Sequence, residues 1–397
     1  MLLPLGDEPN PQGIPVVTYS LIAINCAIYA FVSLPLGVIQ PDLNDPILVE
    51  YVSILADHLP DRLAVEEFLS RITAYDLFLF AHGFRPAEPS LMPLLTSMFL
   101  HGGLMHLAGN MLFLWIYGDN VEHRLGRGSF LIAYLFTGIA ATLFHTVFDA
   151  DSELPLVGAS GAISGVLGFY FLWFPRNRVR LFVAFFPFFM NVVYAPARLV
   201  LGVYLLVDNL APFLLTQGTE GGGVAYGAHL GGFFGGLAWA WIADRREVTE
   251  PPREYRVTQT QHGKSSAGGT VASLVKDGRF KEAAPLYFQI ESDQTRRLLT
   301  PEYSVALGNW LANNGHAKAA LVVYQRHVRD YPLGPLTAEA HLGAGLVQLH
   351  SLHQVTAAYQ HLVEVFDQNP HAETERHARE ALADIAARQK FQMGRMS

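Results

Sequence analysis

The fold of this chain is decided by the stretch Val157-Gly158-Ala159-Ser160-Gly161-Ala162-Ile163-Ser164-Gly165, which opens an apolar segment. Gly161, Gly165 and Gly168 recur at spacings of four and three, so on a helix they lie on one face. A face of small residues lets another helix backbone approach closely inside a membrane. The stretch therefore predicts a tightly packed membrane helix with a serine, Ser160, at its entrance.

A second glycine stripe lies near the end of the apolar region. Gly227, Gly231 and Gly235 are spaced four apart, and His229 lies in the first turns of the same predicted helix. We expect the two stripes to pack together and to bring Ser160 close to His229. For the Gly-Ala-Ser-Gly motif alone, helix packing is the favoured interpretation. An intramembrane histidine beside a serine hydroxyl, however, predicts a nucleophile with its base.

Composition places most of the first 245 residues in a membrane. The chain has 397 residues, of which 51% are hydrophobic and 16% charged. Runs of about 20 apolar residues can span a bilayer, and six occur, roughly at 15–36, 93–117, 129–148, 158–174, 199–215 and 224–243. The predicted fold is all-α: a polytopic bundle of six transmembrane helices over residues 1–245, followed by a soluble helical-repeat domain.

Charge and cysteine content exclude other classes. The net charge is −8 and the basic residues are scattered, which gives no nucleic-acid footprint. The single cysteine, Cys26, excludes an intrachain disulfide. The segment before Val16 lacks the basic start of a cleavable signal peptide, so we expect a short tail before a retained helix.

Arginines set the predicted orientation, because positive residues favour the cytoplasmic side. Seven follow the second, fourth and sixth predicted helices: Arg124, Arg127, Arg176, Arg178, Arg180, Arg245 and Arg246. The connections 149–157 and 216–223 contain no Lys or Arg. Both termini are predicted to be cytoplasmic, in a bacterial plasma membrane. Leu181 to Tyr194 would cover only about 20 Å as a helix, against a core of about 30 Å, so we expect it to lie in the interface or partly re-enter.

Three further segments lie outside the predicted spans. Residues 37–90 hold nine acidic residues and three arginines, and we expect a folded extracytoplasmic loop that includes an amphipathic patch from Leu63 to Ile72. Residues 246–270 have the polar, Gly/Pro-rich composition of a flexible linker. The remainder, 271–397, is predicted to be a cytoplasmic helical module that binds a protein partner.

A weak repeat runs through this last module. Gly278, Ala283 and Tyr287 are echoed 37 residues later by Gly315, Ala320 and Tyr324. This pattern is similar to that of tetratricopeptide-type helical hairpins, whose usual period is about 34 residues. An ordinary helical bundle is the alternative interpretation.

A second polar constellation precedes the second predicted span. His106 and Asn110 are four residues apart and share a helix face at the predicted level of Ser160. Two such groups can donate to an oxyanion; the alternative is a polar cluster capping the helix start, which is favoured for His101. The histidines lack a His-Glu-x-x-His pair or grouped carboxylates, so we predict neither a metal nor a cofactor.

Together these motifs resemble those of the rhomboid family of intramembrane serine proteases. The resemblance rests on His106 and Asn110 in His-x-x-x-Asn, on Gly158-Ala159-Ser160-Gly161, and on Ala228-His229-Leu230-Gly231-Gly232 with Gly235. It covers roughly residues 1–245, including the opening Pro-Leu-Gly-Asp and an expected turn at Gly118-Asp119-Asn120-Val121-Glu122.

The resemblance implies a role for each matching residue. Ser160 would be the nucleophile, and His229 the general base and then acid. Asn110 and His106 would form an oxyanion hole with the Ser160 backbone N–H. Small residues would allow close approach near the site, namely Gly158, Gly161, Gly165, Gly231 and Gly235. The implied substrates are transmembrane segments of other membrane proteins.

Two positions depart from the family pattern. Met92-Pro93 replaces a Trp-Arg pair that some members carry, and Ser164 replaces an aromatic residue of some bacterial members. The second departure leaves open what holds the ring of His229. Two other functions compete with the protease: a non-catalytic rhomboid-like protein that binds transmembrane helices, and a small transporter. Retention of Ser160, His229 and Asn110 favours the protease, and a transporter needs polar groups spread through the midplane.

Overall fold

The computed structural model describes residues 2–56, 71–185, 189–216, 224–255, 267–290 and 292–396. The chain forms two compact units. The first contains Met1–Asp7, Gly13–Trp173 and Val179–Ala240. The second contains Glu8–Gln12, Phe174–Arg178 and Trp241–Ser397.

The first unit contains helices at each of the six predicted apolar runs, together with further helices and three strands. In chain order they are β1 (Leu2–Glu8), α1 (Val16–Leu36), α2 (Pro46–Ala56), α3 (Ala74–His82), α4 (Leu91–Thr96, then a 3-10 turn at Ser97–Phe99), α5 (Leu104–Leu125), α6 (Arg127–Phe148), α7 (Ser160–Trp173), β2 (Arg178–Phe185), β3 (Phe189–Pro196), α8 (Ala197–Leu205, a π-helical turn at Leu206–Leu210, and Ala211–Thr216) and α9 (Tyr226–Thr249).

The predicted membrane bundle is confirmed, with differences in individual spans. Among the described residues, three helices, α1, α6 and α8, are long and apolar enough to cross a membrane. The second predicted span is not one helix, because α4 with its 3-10 turn and α5 meet at 86°; counted together they make a fourth. Gly102 and Gly103 lie at this break, where they interrupt the apolar run. The chain is a multi-pass membrane protein.

A small sheet was not predicted by the all-α interpretation. The described strands pair in the order β1-β2-β3. In β2 the side chains alternate, since Arg178 is exposed while Val179 and Leu181 are buried, and this period of two suits a strand. The described residues of the segment 181–194 belong to β2 and β3. The expectation that this segment lies in the interface or partly re-enters the membrane stays a prediction. The N-terminal residues form β1 rather than a tail.

The end of α5 is fixed by buried polar bonds. The expected turn at 118–122 is part of the helix α5. Within it, Asn120 and Glu122 form hydrogen bonds to groups outside α5. Asn120 donates through Nδ2 to Asp7 at 2.9 Å, and the hydroxyl of Tyr170 also donates to Asp7. Glu122 accepts bonds from the N–H groups of Val17 and Thr18 at 3.0 and 2.7 Å, and from the Thr18 hydroxyl at 2.8 Å. The carboxylate thus satisfies N–H groups that the first turn of α1 leaves unpaired.

Replacement of Glu122 by alanine is expected to destabilise the fold. The change leaves three donors without their acceptor, two of them on the buried Thr18, so the free energy of unfolding should fall by about 3 kcal/mol. Thermal unfolding in detergent measures this loss of stability. Glu88→Ala is the control, because Glu88 forms an exposed ion pair with Arg85, and such pairs contribute about 0–1 kcal/mol. Equal effects of the two substitutions would contradict the capping role.

The predicted extracytoplasmic loop contains two described helices. Leu48 of α2 and Leu77 of α3 form a buried cluster with Ile72, which precedes α3. Thr73 and Asp76 form a reciprocal capping box at the start of α3. Most of the predicted amphipathic patch, 63–72, lies outside the described residues.

The second unit is helical. Its elements are the end of α9, a 3-10 turn (Arg253–Tyr255), α10 (Ala267–Lys276), α11 (Phe280–Phe288), α12 (Asp293–Arg296), α13 (Pro301–Asn313), α14 (Ala317–Asp330), α15 (Thr337–Leu346, then a π-helical turn at Val347–Ser351), α16 (Val355–Asp367) and α17 (Ala372–Met396). Left-handed residues Gly278, Gly315 and His353 recur 37 and 38 residues apart between paired helices. The tetratricopeptide resemblance stays a prediction.

The predicted flexible linker begins as an ordered segment. α9 continues to Thr249, and the Val248 carbonyl accepts a 2.8 Å bond from Arg326, whose side chain is buried. The Tyr255 ring lies 4.8 Å from the ring of Phe288. Part of 246–255 therefore has helical structure and tertiary contacts that its linker-like composition does not reveal. Residues 256–266 lie outside the described part of the chain.

Candidate active site

The loop before α7 holds Ser160 at the first position of that helix. Gly158 has φ +124°, a left-handed conformation that favours glycine. Its N–H donates to the Ser97 carbonyl at 2.8 Å, and two residues earlier Leu156 forms a backbone bridge with Phe84. Backbone bonds therefore fix the position of the half-buried Ser160.

His106 lies directly against this loop. A Cβ added to Gly158 would lie 2.8 Å from Cε1 and Nε2 of His106 and 3.7 Å from Oγ of Ser160. The missing side chain of Gly158 is therefore what lets the imidazole approach the serine loop. The structure places His106 beside the loop that holds Ser160.

Asn110 lies one turn further along α5, with only 8% of its surface exposed. Within the described part of the chain, its Nδ2 is buried without a hydrogen-bond partner. Buried polar groups are nearly always paired, so an unpaired donor requires an explanation. Asn110 can offer this N–H to a bound oxygen atom.

Close backbone packing joins α7 and α9. A Cβ at Gly232 would lie 2.0 Å from the Gly161 carbonyl oxygen, and one at Gly236 would lie 2.0 Å from that of Gly165. Ser160 precedes Gly161, and His229 lies three residues before Gly232, so both belong to the same end of this contact. In the described structure no hydrogen bond joins Ser160 to His229; such bonds are often long without substrate.

The two glycine-rich helices do pack together, but most residues of the two predicted stripes face a third helix, α6. A Cβ at Gly165 would lie 2.3 Å from Thr137, and one at Gly231 would lie 2.4 Å from Phe144, both of α6. Gly161 and Gly235 also face α6. A Cβ at Gly161 would lie 2.6 Å from Cβ of Ala141, and one at Gly235 would lie 3.6 Å from Cβ of Ala140. Gly168 of the first stripe contacts α9 instead, because a Cβ there would lie 2.1 Å from the Phe233 carbonyl oxygen. Three helices therefore meet here, and Gly232 and Gly236 of α9 contact α7.

Two polar residues near His229 were missed from the sequence. Nδ1 of His229 lies 2.7 Å from Oδ1 of Asn209, in the π-helical turn of α8. His145 of α6 lies near the start of α9, because its Nδ1 would be 3.1 Å from a Cβ at Gly227. In the sequence, each of these two residues is a single polar residue within an apolar run. Such a residue does not reveal which side chains lie next to it in the fold.

No group of three or more potential metal-binding side chains occurs among the residues that the structure describes. The polar groups around Ser160 are histidines and amides, which suit hydrogen bonding and proton transfer. The site can therefore support nucleophilic chemistry with its own side chains.

Comparison with protein families matches residues 88–246 to the Rhomboid domain. Residues 88–246 are therefore a rhomboid domain. The rhomboid domain contains all the polar residues described above, from His106 and Asn110 through Ser160 to Asn209 and His229.

Individual rhomboid proteins share parts of this chain. It is 31% identical over 172 residues to Rhomboid protein 1, mitochondrial, of Saccharomyces cerevisiae, covering 42% of this chain and 46% of the relative. It is 49% identical over 75 residues to Rhomboid protease GluP of Bacillus subtilis, covering 19% and 14%. It is 35% identical over 99 residues to the Presenilin-associated rhomboid-like protein, mitochondrial, of Bos taurus, covering 24% and 26%. The chain thus spans less than half the length of each.

Proposed function

We propose that this rhomboid protein is an intramembrane serine protease with Ser160 as nucleophile and His229 as base. The observation that carries the proposal is the convergence of groups at one end of the α7–α9 contact. Ser160 and His229 lie on the two helices that Gly232 brings together. Asn110, whose buried Nδ2 has no hydrogen-bond partner among the described residues, lies on α5 one turn from His106, which contacts the serine loop. The name of the Bacillus relative, a rhomboid protease, supports the same activity.

The proposed reaction is an acyl transfer. Oγ of Ser160 attacks the peptide carbonyl carbon while its proton passes to Nε2 of His229. The resulting oxyanion accepts hydrogen bonds from Asn110, His106 and the Ser160 N–H, near the positive end of α7. The C–N bond then breaks, and His229 protonates the leaving amine. Water attacks the serine ester, His229 takes its proton and returns it to Oγ, and a carboxylic acid leaves.

The length of α7 supports a transmembrane substrate. Its 14 residues rise about 21 Å, less than the hydrocarbon core of about 30 Å. Arg176 and Arg178 follow its C-terminal end, so a helix anchored there begins inside the core. A scissile bond at Ser160 would then lie in or near a transmembrane segment. By the positive-inside rule, we place both termini on the cytoplasmic side of the membrane. We propose that this membrane is a bacterial plasma membrane.

The helical module 271–397 is proposed to bind a cytoplasmic protein partner. Paired helices in series present extended surfaces suited to binding proteins. The helices of this module lie outside the rhomboid domain, so its proposed role is to recruit partners rather than to take part in the reaction.

A serine-reactive fluorophosphonate probe tests the proposed function. Purified protein in detergent should become labelled at Ser160, and peptide mapping identifies the labelled residue. A non-catalytic protein that binds transmembrane helices would not react. Absence of labelling in a folded sample, together with no cleavage of a model transmembrane substrate, would exclude the protease.

Replacement of Asn110 by alanine should slow turnover without abolishing it. Loss of one oxyanion donor typically lowers kcat by about 10² to 10³, and the backbone N–H of Ser160 remains. Steady-state kinetics on a model transmembrane substrate, with KM nearly constant, provides the measurement. Unchanged kcat would assign Asn110 a purely structural role.

A further inference from the structure

Asn209 is the described residue whose side chain is hydrogen-bonded to the ring of His229. Its Oδ1 lies 2.7 Å from Nδ1 of the imidazole, and only 1% of its surface is exposed. It belongs to the π-helical turn at Leu206–Leu210, an irregularity frequently found at functional sites. The contact comes from α8, which the sequence motifs did not include.

The orientation of the Asn209 amide is fixed by a second bond. Its Nδ2 donates to the carbonyl oxygen of Tyr204 at 2.8 Å. A carbonyl only accepts, so this nitrogen must face Tyr204 and Oδ1 must face His229. An amide oxygen also only accepts, and the proton of the 2.7 Å bond therefore resides on Nδ1 of His229.

This arrangement determines the chemistry of the other ring nitrogen. In neutral imidazole one nitrogen carries hydrogen and the other has a free lone pair. With the hydrogen on Nδ1, the lone pair is on Nε2, which is the state required to accept a proton from a serine hydroxyl. The reversed tautomer would present an N–H to the serine and could not act as a base.

We propose that Asn209 is a positioning residue that holds His229 in the Nδ1–H tautomer and thereby keeps Nε2 available to Ser160. The inference rests on the proposed function and deepens it. It also answers what replaces the aromatic support absent at Ser164, because the ring is bound from α8 instead. The neighbouring contact between Ser164 Oγ and the Tyr204 hydroxyl, at 3.5 Å, links α7 to the same segment of α8.

Two measurements on Asn209→Leu test the proposal. The first is the ¹⁵N spectrum of histidine-labelled protein in detergent, with His229 assigned by comparison with His229→Gln. Wild type should show a protonated Nδ1 and an unprotonated Nε2, whereas Asn209→Leu should show a mixture or the reverse. The second is kinetics: kcat should fall about 10- to 100-fold, as typical for loss of an outer partner of a functional imidazole, with KM within about twofold.

Control variants separate positioning from general damage. Asn209→Asp keeps an acceptor oxygen of the same size towards Nδ1, and its buried carboxyl, kept protonated by desolvation, can donate its O–H to the Tyr204 carbonyl as Nδ2 does. It should therefore retain the Nδ1–H tautomer and recover most of the turnover lost in Asn209→Leu. Asn25→Leu removes another fully buried amide, one that donates to the Leu21 carbonyl of its own helix. It should leave both the His229 spectrum and kcat near wild type.

The outcomes distinguish this inference from the proposed function. A wild-type spectrum with the proton on Nε2, or an Asn209→Leu variant with unchanged kcat, would overturn the positioning role. If Asn209→Leu does not fold, a failure of Asn209→Asp to keep the tautomer would overturn it. The spectrum can also be recorded on Ser160→Ala, so the tautomer is measurable in a protein without activity. Absence of probe labelling in wild type would reject the protease itself, whatever the tautomer.

Discussion

Ser160→Ala and His229→Ala are each expected to abolish cleavage of a model transmembrane substrate, lowering kcat by at least about 10⁴-fold. The physical reason is that a serine hydroxyl and its base act as one unit, so loss of either removes the nucleophilic step. The double variant should be no worse than the more damaging single variant, because effects within such a unit are not additive. Turnover of the purified variants, with folded protein matched by thermal unfolding, provides the measurement.

A matched control lies one helical turn from the nucleophile. Ser164 is also a serine on α7 and is 1% exposed, so Ser164→Ala removes a buried hydroxyl from the same helix. It should keep most of the wild-type rate and the fluorophosphonate labelling. Substantial cleavage by Ser160→Ala, or equal losses for both serines, would reject Ser160 as the nucleophile.

Gly232→Val is expected to inactivate the protein without altering any polar residue of the site. A Cβ at Gly232 would lie 2.0 Å from the Gly161 carbonyl oxygen, far inside van der Waals contact. The obstructing atom is backbone, so α7 and α9 must separate. A displacement of about 1 Å at reacting groups can cost about 10²-fold in rate, and overpacking typically costs about 1–3 kcal/mol of stability. We expect both losses, measured by turnover and by thermal unfolding.

The same substitution at Gly128 provides the comparison. Among the described residues, no atom lies within 4 Å of a Cβ placed there. Gly128→Val should therefore change turnover less than about twofold. Wild-type activity in Gly232→Val would show that α7 and α9 do not depend on this contact.

Much of the candidate site could be predicted from the sequence because its signals are local. The spacing of His106 and Asn110 puts them on one helix face whatever the surroundings. The glycine-rich stretches around Ser160 and His229 imply close helix packing in any membrane protein. Long apolar runs likewise predicted a helical membrane bundle, since lipid leaves backbone groups no partner except each other.

Other features depend on neighbours that are distant in sequence. Strand formation at Arg178–Phe185 and Phe189–Pro196 requires pairing between strands, including β1 from near the start of the chain. The ordered start of the predicted linker depends on Arg326, 78 residues from Val248. No local pattern encodes such partners, so composition suggested a re-entrant segment and a flexible linker.

By itself, then, the sequence determined the membrane class, the rhomboid motifs and the candidate residues Ser160, His229, His106 and Asn110. Only the tertiary structure decided that Gly161, Gly165, Gly231 and Gly235 face α6, that Gly232 and Gly236 contact α7, and that Asn209 binds the imidazole of His229. The physical reason is that a helical repeat defines which residues share a face, whereas the neighbour of that face depends on how all the helices pack together.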